Sequence, residues 1–118
     1  MGKEKTIEET KGEAADLQYQ IMGTMRELQE LHGRILTNEA NAKRATLTLQ
    51  EFESYPESAR MYETVGKCFV LTPLSEVRHD LHGYIDHSEK LVNDLRTRET
   101  ALQKQKETLQ QKLVTAAA

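Results

Sequence analysis

Residues 54–72, SYPESARMYETVGKCFVLT, decide how the rest of this chain folds. The only two prolines, Pro56 and Pro73, lie at the edges of this stretch, and proline stops a helix by removing an N–H and clashing with the preceding turn. Ser54 and Pro56 therefore end any helix that precedes them. Thr72 followed by Pro73 has the form of an N-cap with proline at the first position of a second helix. Between these stops, RMYETV and KCFVLT are β-prone runs flanking Gly66, a residue able to supply the positive φ of a tight turn. The stretch predicts one β-hairpin, with long segments on both sides left free to be helical.

Upstream, Ile7, Ala14, Ile21, Leu28, Ile35, Ala42 and Leu49 recur every seven residues, with Thr10, Leu17, Thr24, Leu31, Asn38, Ala45 and Phe52 at the matching d positions. A single register held this long is a coiled-coil helix with a seam diluted by small and polar residues. Downstream, Leu74, Leu81, Ser88, Leu95, Leu102 and Leu109 form a second ladder, with Val77, Tyr84 and Leu91 at d. Beyond Leu95 the d positions become Arg98, Gln105 and Lys112, with Leu113 alongside, so the far end reads as loosely zipped. Gly12, Gly23, Gly33 and Gly83 fall on outward c and f positions and soften the helices. Glu30 with Arg34, Glu39 with Lys43, Asp86 with Lys90 and Asp94 with Arg98 are i,i+4 pairs that mark solvated faces. The predicted fold is mainly α: a long antiparallel two-helix coiled coil joined by a single β-hairpin. It spans residues 1–118 as one domain, with helices over 5–53 and 73–115 and the linker and hairpin over 54–72.

Composition limits the function classes. There is no Trp, two Phe and four Tyr, with 30% charged residues and a mean hydropathy of -0.69, poor material for a self-sufficient compact core. The net charge of -3 is interspersed rather than blocked, which speaks against nucleic acid as a partner. No apolar run approaches the ~20 residues that span a bilayer. The polar start MGKEKTIEE lacks the apolar segment of a signal peptide, and Cys68 has no second cysteine to pair with, so the expected location is cytoplasmic, with no membrane partner.

The hairpin cannot stand alone. A two-stranded hairpin is marginal in water and carries two unpaired edges. Met61, Tyr62, Val65, Cys68, Phe69, Val70 and Leu71, arranged around Gly66, concentrate bulky apolar surface there, more than one coiled coil can cover. These residues are the expected oligomerisation site.

The segment MYETVGKCFVL, residues 61–71, resembles the hairpin signature of the prefoldin family in its subunit 1 branch: Met-Tyr-Glu, Val-Gly, a basic residue, then Phe with aliphatics. The flanking heptads extend the likeness over nearly the whole chain. A single hairpin marks the β class, since α-class prefoldin subunits carry two. The resemblance implies a heterohexamer of two α-class and four β-class subunits, hairpins joined in a double barrel with six coiled coils hanging from it. It also implies ATP-independent capture of nascent or unfolded chains, notably actin and tubulin, and their delivery to the cytosolic group II chaperonin. Thr72-Pro73 departs from the family, whose second helix more often opens with Ser and acidic residues.

In that family the ends of the coiled coils touch the client. Here Ile7, Ala14, Leu17, Leu102, Leu109 and Leu113 either present apolar surface at those ends, if the helices splay, or zip to one another. His79, His82 and His87 fall at f, b and g positions and do not converge on a metal site. Cys68, in a strand beside Phe69, reads as a small buried hydrophobe rather than a nucleophile. No nucleophile elbow or phosphate loop is present, so neither catalysis nor a cofactor is expected. A coiled-coil scaffold subunit of a prefoldin-like or tethering complex is the competing reading, and the hairpin discriminates, since a simple scaffold needs no sheet-forming insert at its turn.

Overall fold

The computed structural model describes residues 6–117, with side chains to residue 116. Two long helices, α1 (Ile7–Glu53) and α2 (Leu74–Ala117), flank the strands β1 (Met61–Val65) and β2 (Cys68–Thr72). The expected helix start at residue 5 lies outside the described residues. Thr6 caps α1: its Oγ1 accepts from the Glu9 N–H at 3.1 Å, its carbonyl takes the Thr10 N–H at 3.1 Å, and Glu8 and Glu9 sit in the first turn, where carboxylates oppose the positive end of the helix dipole.

The second helix starts one residue later than its sequence suggests. Thr72 is the last residue of β2, and its hydroxyl turns to the Val70 carbonyl at 3.4 Å. The carbonyl of Pro73 accepts the Glu76 and Val77 N–H groups at 3.0 and 3.1 Å, which makes Pro73 itself the N-cap. Thr72 is claimed by the strand, and proline needs no N–H at a position where none would be bonded.

The chain divides into two compact units: a hairpin unit of residues 35–94, and a distal unit in which the first part of α1, to Arg34, meets α2 from Leu95 onward. In the hairpin unit the core comprises Ile35, at 1% exposure, with Ala45, Leu49, Leu74, Val77 and Val92, and it also buries Thr72 and Ser88. In the distal unit, Ile21, Leu28, Leu31, Leu95, Leu102 and Leu109 are buried around Thr24, whose hydroxyl donates to the Gln20 carbonyl at 3.0 Å. The α1 seam follows the expected a and d positions closely. The α2 seam does not: Tyr84 at d is exposed, while Val92 at e is buried and Ile85, Glu99, Lys106 and Leu113 at e are half-buried. Arg98, Gln105 and Lys112 stand in solvent. The buried stripe moves from d toward e because a helix of 3.6 residues per turn drifts against a seven-residue repeat, and aliphatic side chains and stems at e then face the seam. The far end of α2 is zipped through its one leucine per heptad, Leu95, Leu102 and Leu109 at a, with Glu99, Lys106 and Leu113 at e half-buried beside them.

Charges decorate this seam. Glu27 and Arg98 approach to 3.7 Å across the distal unit, as do His32 Nδ1 and Glu99. Arg98 thus reaches over to α1, although its sequence suggests Asp94 as partner. Both are surface contacts of small energetic weight.

The glycines on the outer faces offer a clean test of this geometry. A Cβ built at Gly12, Gly23, Gly33 or Gly83 meets nothing within 4 Å, and alanine is favoured in a helix interior by about 1 kcal/mol. Each Gly→Ala substitution should therefore raise the thermal midpoint of the assembled protein. A fall at any of the four would mean that this face is packed against something.

Candidate functional site

The hairpin is a short antiparallel pair with a two-residue turn. Its register runs Met61↔Thr72, Tyr62↔Leu71, Glu63↔Val70, Thr64↔Phe69, Val65↔Cys68. Gly66 has φ 61° and Lys67 a negative φ, the pattern of a type II′ turn, whose twist matches that of the strands. Partners in register share a face. One face therefore carries Tyr62, Leu71, Phe69 and Thr64, and the other Met61, Val70, Val65, Cys68, Glu63 and Thr72. Phe69 is 74% exposed, Leu71 60% and Tyr62 57% on the first face; Val65, Val70 and Cys68 are exposed on the second. Both faces thus leave apolar side chains uncovered, although Met61 is half-buried and Thr72 buried at the helix end of the second, and β1 and β2 each have one free edge. Cys68, expected to be buried, is exposed because among the described residues nothing covers the turn end of the hairpin.

Two stems of unequal length carry the hairpin. The short one is Pro73, between β2 and the buried start of α2. The long one is residues 54–60, where α1 ends in tightening turns: Ser54 N–H to the Glu51 carbonyl at 3.3 Å, Tyr55 N–H to Phe52 at 3.1 Å, and Ala59 N–H to Pro56 at 2.9 Å. The Tyr55 ring packs on Phe52 with centroids 5.6 Å apart. Arg78, on the second turn of α2, donates through Nη2 to the Phe52 carbonyl at 2.8 Å and to the Tyr55 carbonyl at 3.4 Å. A cation is favourable at a helix C-terminus, and α1 has no basic residue of its own in its last turn. Sequence reasoning missed Arg78, because a contact between residues 26 positions apart leaves no periodic signal.

At the other end of the helices the six candidate client-contact residues separate. Ile7 is 76% exposed; Ala14, Leu17 and Leu113 are half-buried; Leu102 and Leu109 are buried at 3% and 7% in the seam. Tyr19, Met22, Met25 and Val114, none of them singled out by the heptads, are exposed. They were overlooked because they lie off the repeat. A groove of about 880 Å³ opens between the helices, lined by Thr10, Asp16, Leu17, Thr108, Lys112 and neighbours.

The model of the family described as prefoldin subunit matches residues 13–117. This chain belongs to the prefoldin subunit family. Among curated relatives, prefoldin subunit 1 of Arabidopsis thaliana is 29% identical over 98 residues, covering 83% of this chain and 77% of that protein. Prefoldin subunit 1 of Danio rerio is 28% identical over 96 residues, 81% and 79% of the two chains. The crystal structure of the prefoldin beta subunit from Thermococcus strain KS-1 superposes with a TM-score of 0.80 at 24% identity, covering 87% of this chain and 90% of that one. The single hairpin matches the prefoldin β architecture, and chaperone activity through hetero-oligomeric assembly is the role of the prefoldin family, which is not a family of enzymes.

His79, His82 and His87 stand exposed on α2, and among the described residues no three His, Cys, Asp or Glu side chains gather as a metal site. Among the same residues, no helix is long and apolar enough to cross a membrane.

Proposed function

We propose that this chain is a β-class subunit of a cytoplasmic heterohexamer of two α-class and four β-class prefoldin subunits. In this reading the complex captures unfolded or nascent polypeptides, actin and tubulin among them, without ATP. It then passes them to the cytosolic group II chaperonin. The observation that carries the reading is the hairpin, whose exposed apolar side chains and two open edges are marginal in water and available for pairing with other strands. Met61, Tyr62, Val65, Cys68, Phe69, Val70 and Leu71 are the side chains to be buried on assembly, with Gly66 holding the turn.

Client contact falls to the distal unit. Ile7, Ala14, Leu17 and Leu113 offer apolar surface there as they stand, whereas Leu102 and Leu109 do so only when the two helices part. Tyr19, Met22 and Met25 widen the available surface. Flexible methionines suit a binder of many sequences, because they repack around different partners. Six such arms acting together turn weak contacts into durable capture.

The test is aggregation of denatured actin, followed by light scattering without nucleotide, in the presence of the purified complex containing this chain. Suppression near stoichiometry, followed by actin release on adding the chaperonin with ATP, is the expected result. A complex that assembles but leaves aggregation unchanged would overturn the chaperone reading in favour of a scaffold.

A further inference from the structure

The hairpin must meet its neighbours at a defined angle, and its own strands do not set that angle. A body held by one stem swivels about it; a body held by two does not. The short stem is firm, since Thr72 and Leu74 are buried and the Pro73 carbonyl begins α2. The long stem, residues 54–60, is mostly exposed, and its backbone bonds are local turns. Arg78 ties it down over a long range: its Nη2 is shared between the Phe52 carbonyl, in the last turn of α1, and the Tyr55 carbonyl, in the stem itself.

The guanidinium is drawn in at a cost. Its Nε is buried and has no hydrogen-bond partner, and a buried donor left unpaired is unfavourable. A surface arginine free to choose would leave such a place. It stays because the charge-assisted bonds to the two carbonyls, at the negative end of the α1 dipole, outweigh the loss. Arg78 also lines a groove of about 400 Å³ with Glu57, Ala59 and Arg60 of the long stem and Leu71 and Thr72 of β2. It therefore stands where the stem, the hairpin's exit strand and the base of α2 meet.

We propose that Arg78 is a positioning residue for assembly: by fastening the long stem to α2 it fixes the orientation in which the hairpin is offered to neighbouring subunits. The inference rests on the hexamer reading above. Lysine cannot replace it fully, because an ammonium is a compact, strongly hydrated point charge and is drawn less readily than a guanidinium into this half-buried place.

The experiment compares Arg78→Met, which keeps the aliphatic stem, with Leu49→Ala, which weakens the same unit without touching the stem. Each variant is mixed with the remaining five subunits well below its thermal midpoint. Hexamer dissociation is read by native mass spectrometry, and amide exchange over residues 54–60 is measured in parallel. Arg78→Met should weaken assembly about tenfold, the scale of one lost charged hydrogen bond, and should speed exchange in the long stem. Leu49→Ala, although it lowers the thermal midpoint at least as far, should leave hexamer dissociation close to the parent's, and Arg78→Lys should recover part of the loss. If Arg78→Met assembles like the parent, or no worse than Leu49→Ala, the positioning role is refuted. If the parent itself forms no hexamer, it is the underlying reading that fails.

Discussion

Phe69→Asp is expected to abolish assembly while leaving both helices folded. Phe69 stands three-quarters exposed in the chain by itself, so a carboxylate there costs almost nothing until a partner arrives. Once a neighbouring hairpin covers that face, the charge is desolvated without a counter-ion. The penalty is of order 3 kcal/mol or more, roughly a hundredfold or greater in the assembly constant. Circular dichroism should report the parent's helical content, and a sizing column the loss of the hexamer. Val65→Asp makes the same test on the opposite face. If only one of the two disrupts the complex, only one face is an interface.

The second large effect belongs to the leucines of the distal unit. Leu102 and Leu109 lie in its core, and removing a buried leucine costs about 2–5 kcal/mol; a serine hydroxyl can bond back to its own helix, as Thr24 does, but restores none of the lost packing. Leu102→Ser with Leu109→Ser should therefore melt the helix ends, seen as lost helical signal and fast amide exchange beyond residue 95, with the hexamer still joined through its hairpins. Any accompanying loss of client holding would then report unfolding rather than a missing contact. Tyr19, Met22 and Met25 are the sharper probe. They are exposed, so changing all three to Ser should leave the thermal midpoint nearly unmoved and reduce the complex's capacity to hold denatured actin. Unchanged capacity in a complex carrying matching changes in its other subunits would remove this surface from the client site.

Much of this architecture is written in residue spacing. The seven-residue ladder of α1 marks its buried face almost residue by residue, because a helix of 3.6 residues per turn leaves little choice of face. The turn followed from Gly66, where only glycine takes a positive φ without strain. What escaped did so for separate reasons. On α2 the a positions held, but from Tyr84 onward the second stripe moved from d toward e as the helix drifted against its seven-residue repeat. The place of Thr72 was contested between a cap and a strand, and the strand took it. Arg78 lay beyond any local pattern, and the exposed methionines lay outside the repeat that organised the reading. Cys68 was legible as a strand residue, but its exposure depends on what covers the strand, which one chain cannot supply.

The most direct measurement is native mass spectrometry of the tagged chain, purified without denaturant from the cells that express it. A subunit whose hairpin is completed by others should emerge in a complex of six chains, two of them α-class, with this chain present once or in a fixed small number. A homodimer, or a stable monomer at micromolar concentration, would mean that the hairpin faces need no neighbours and would contradict the account.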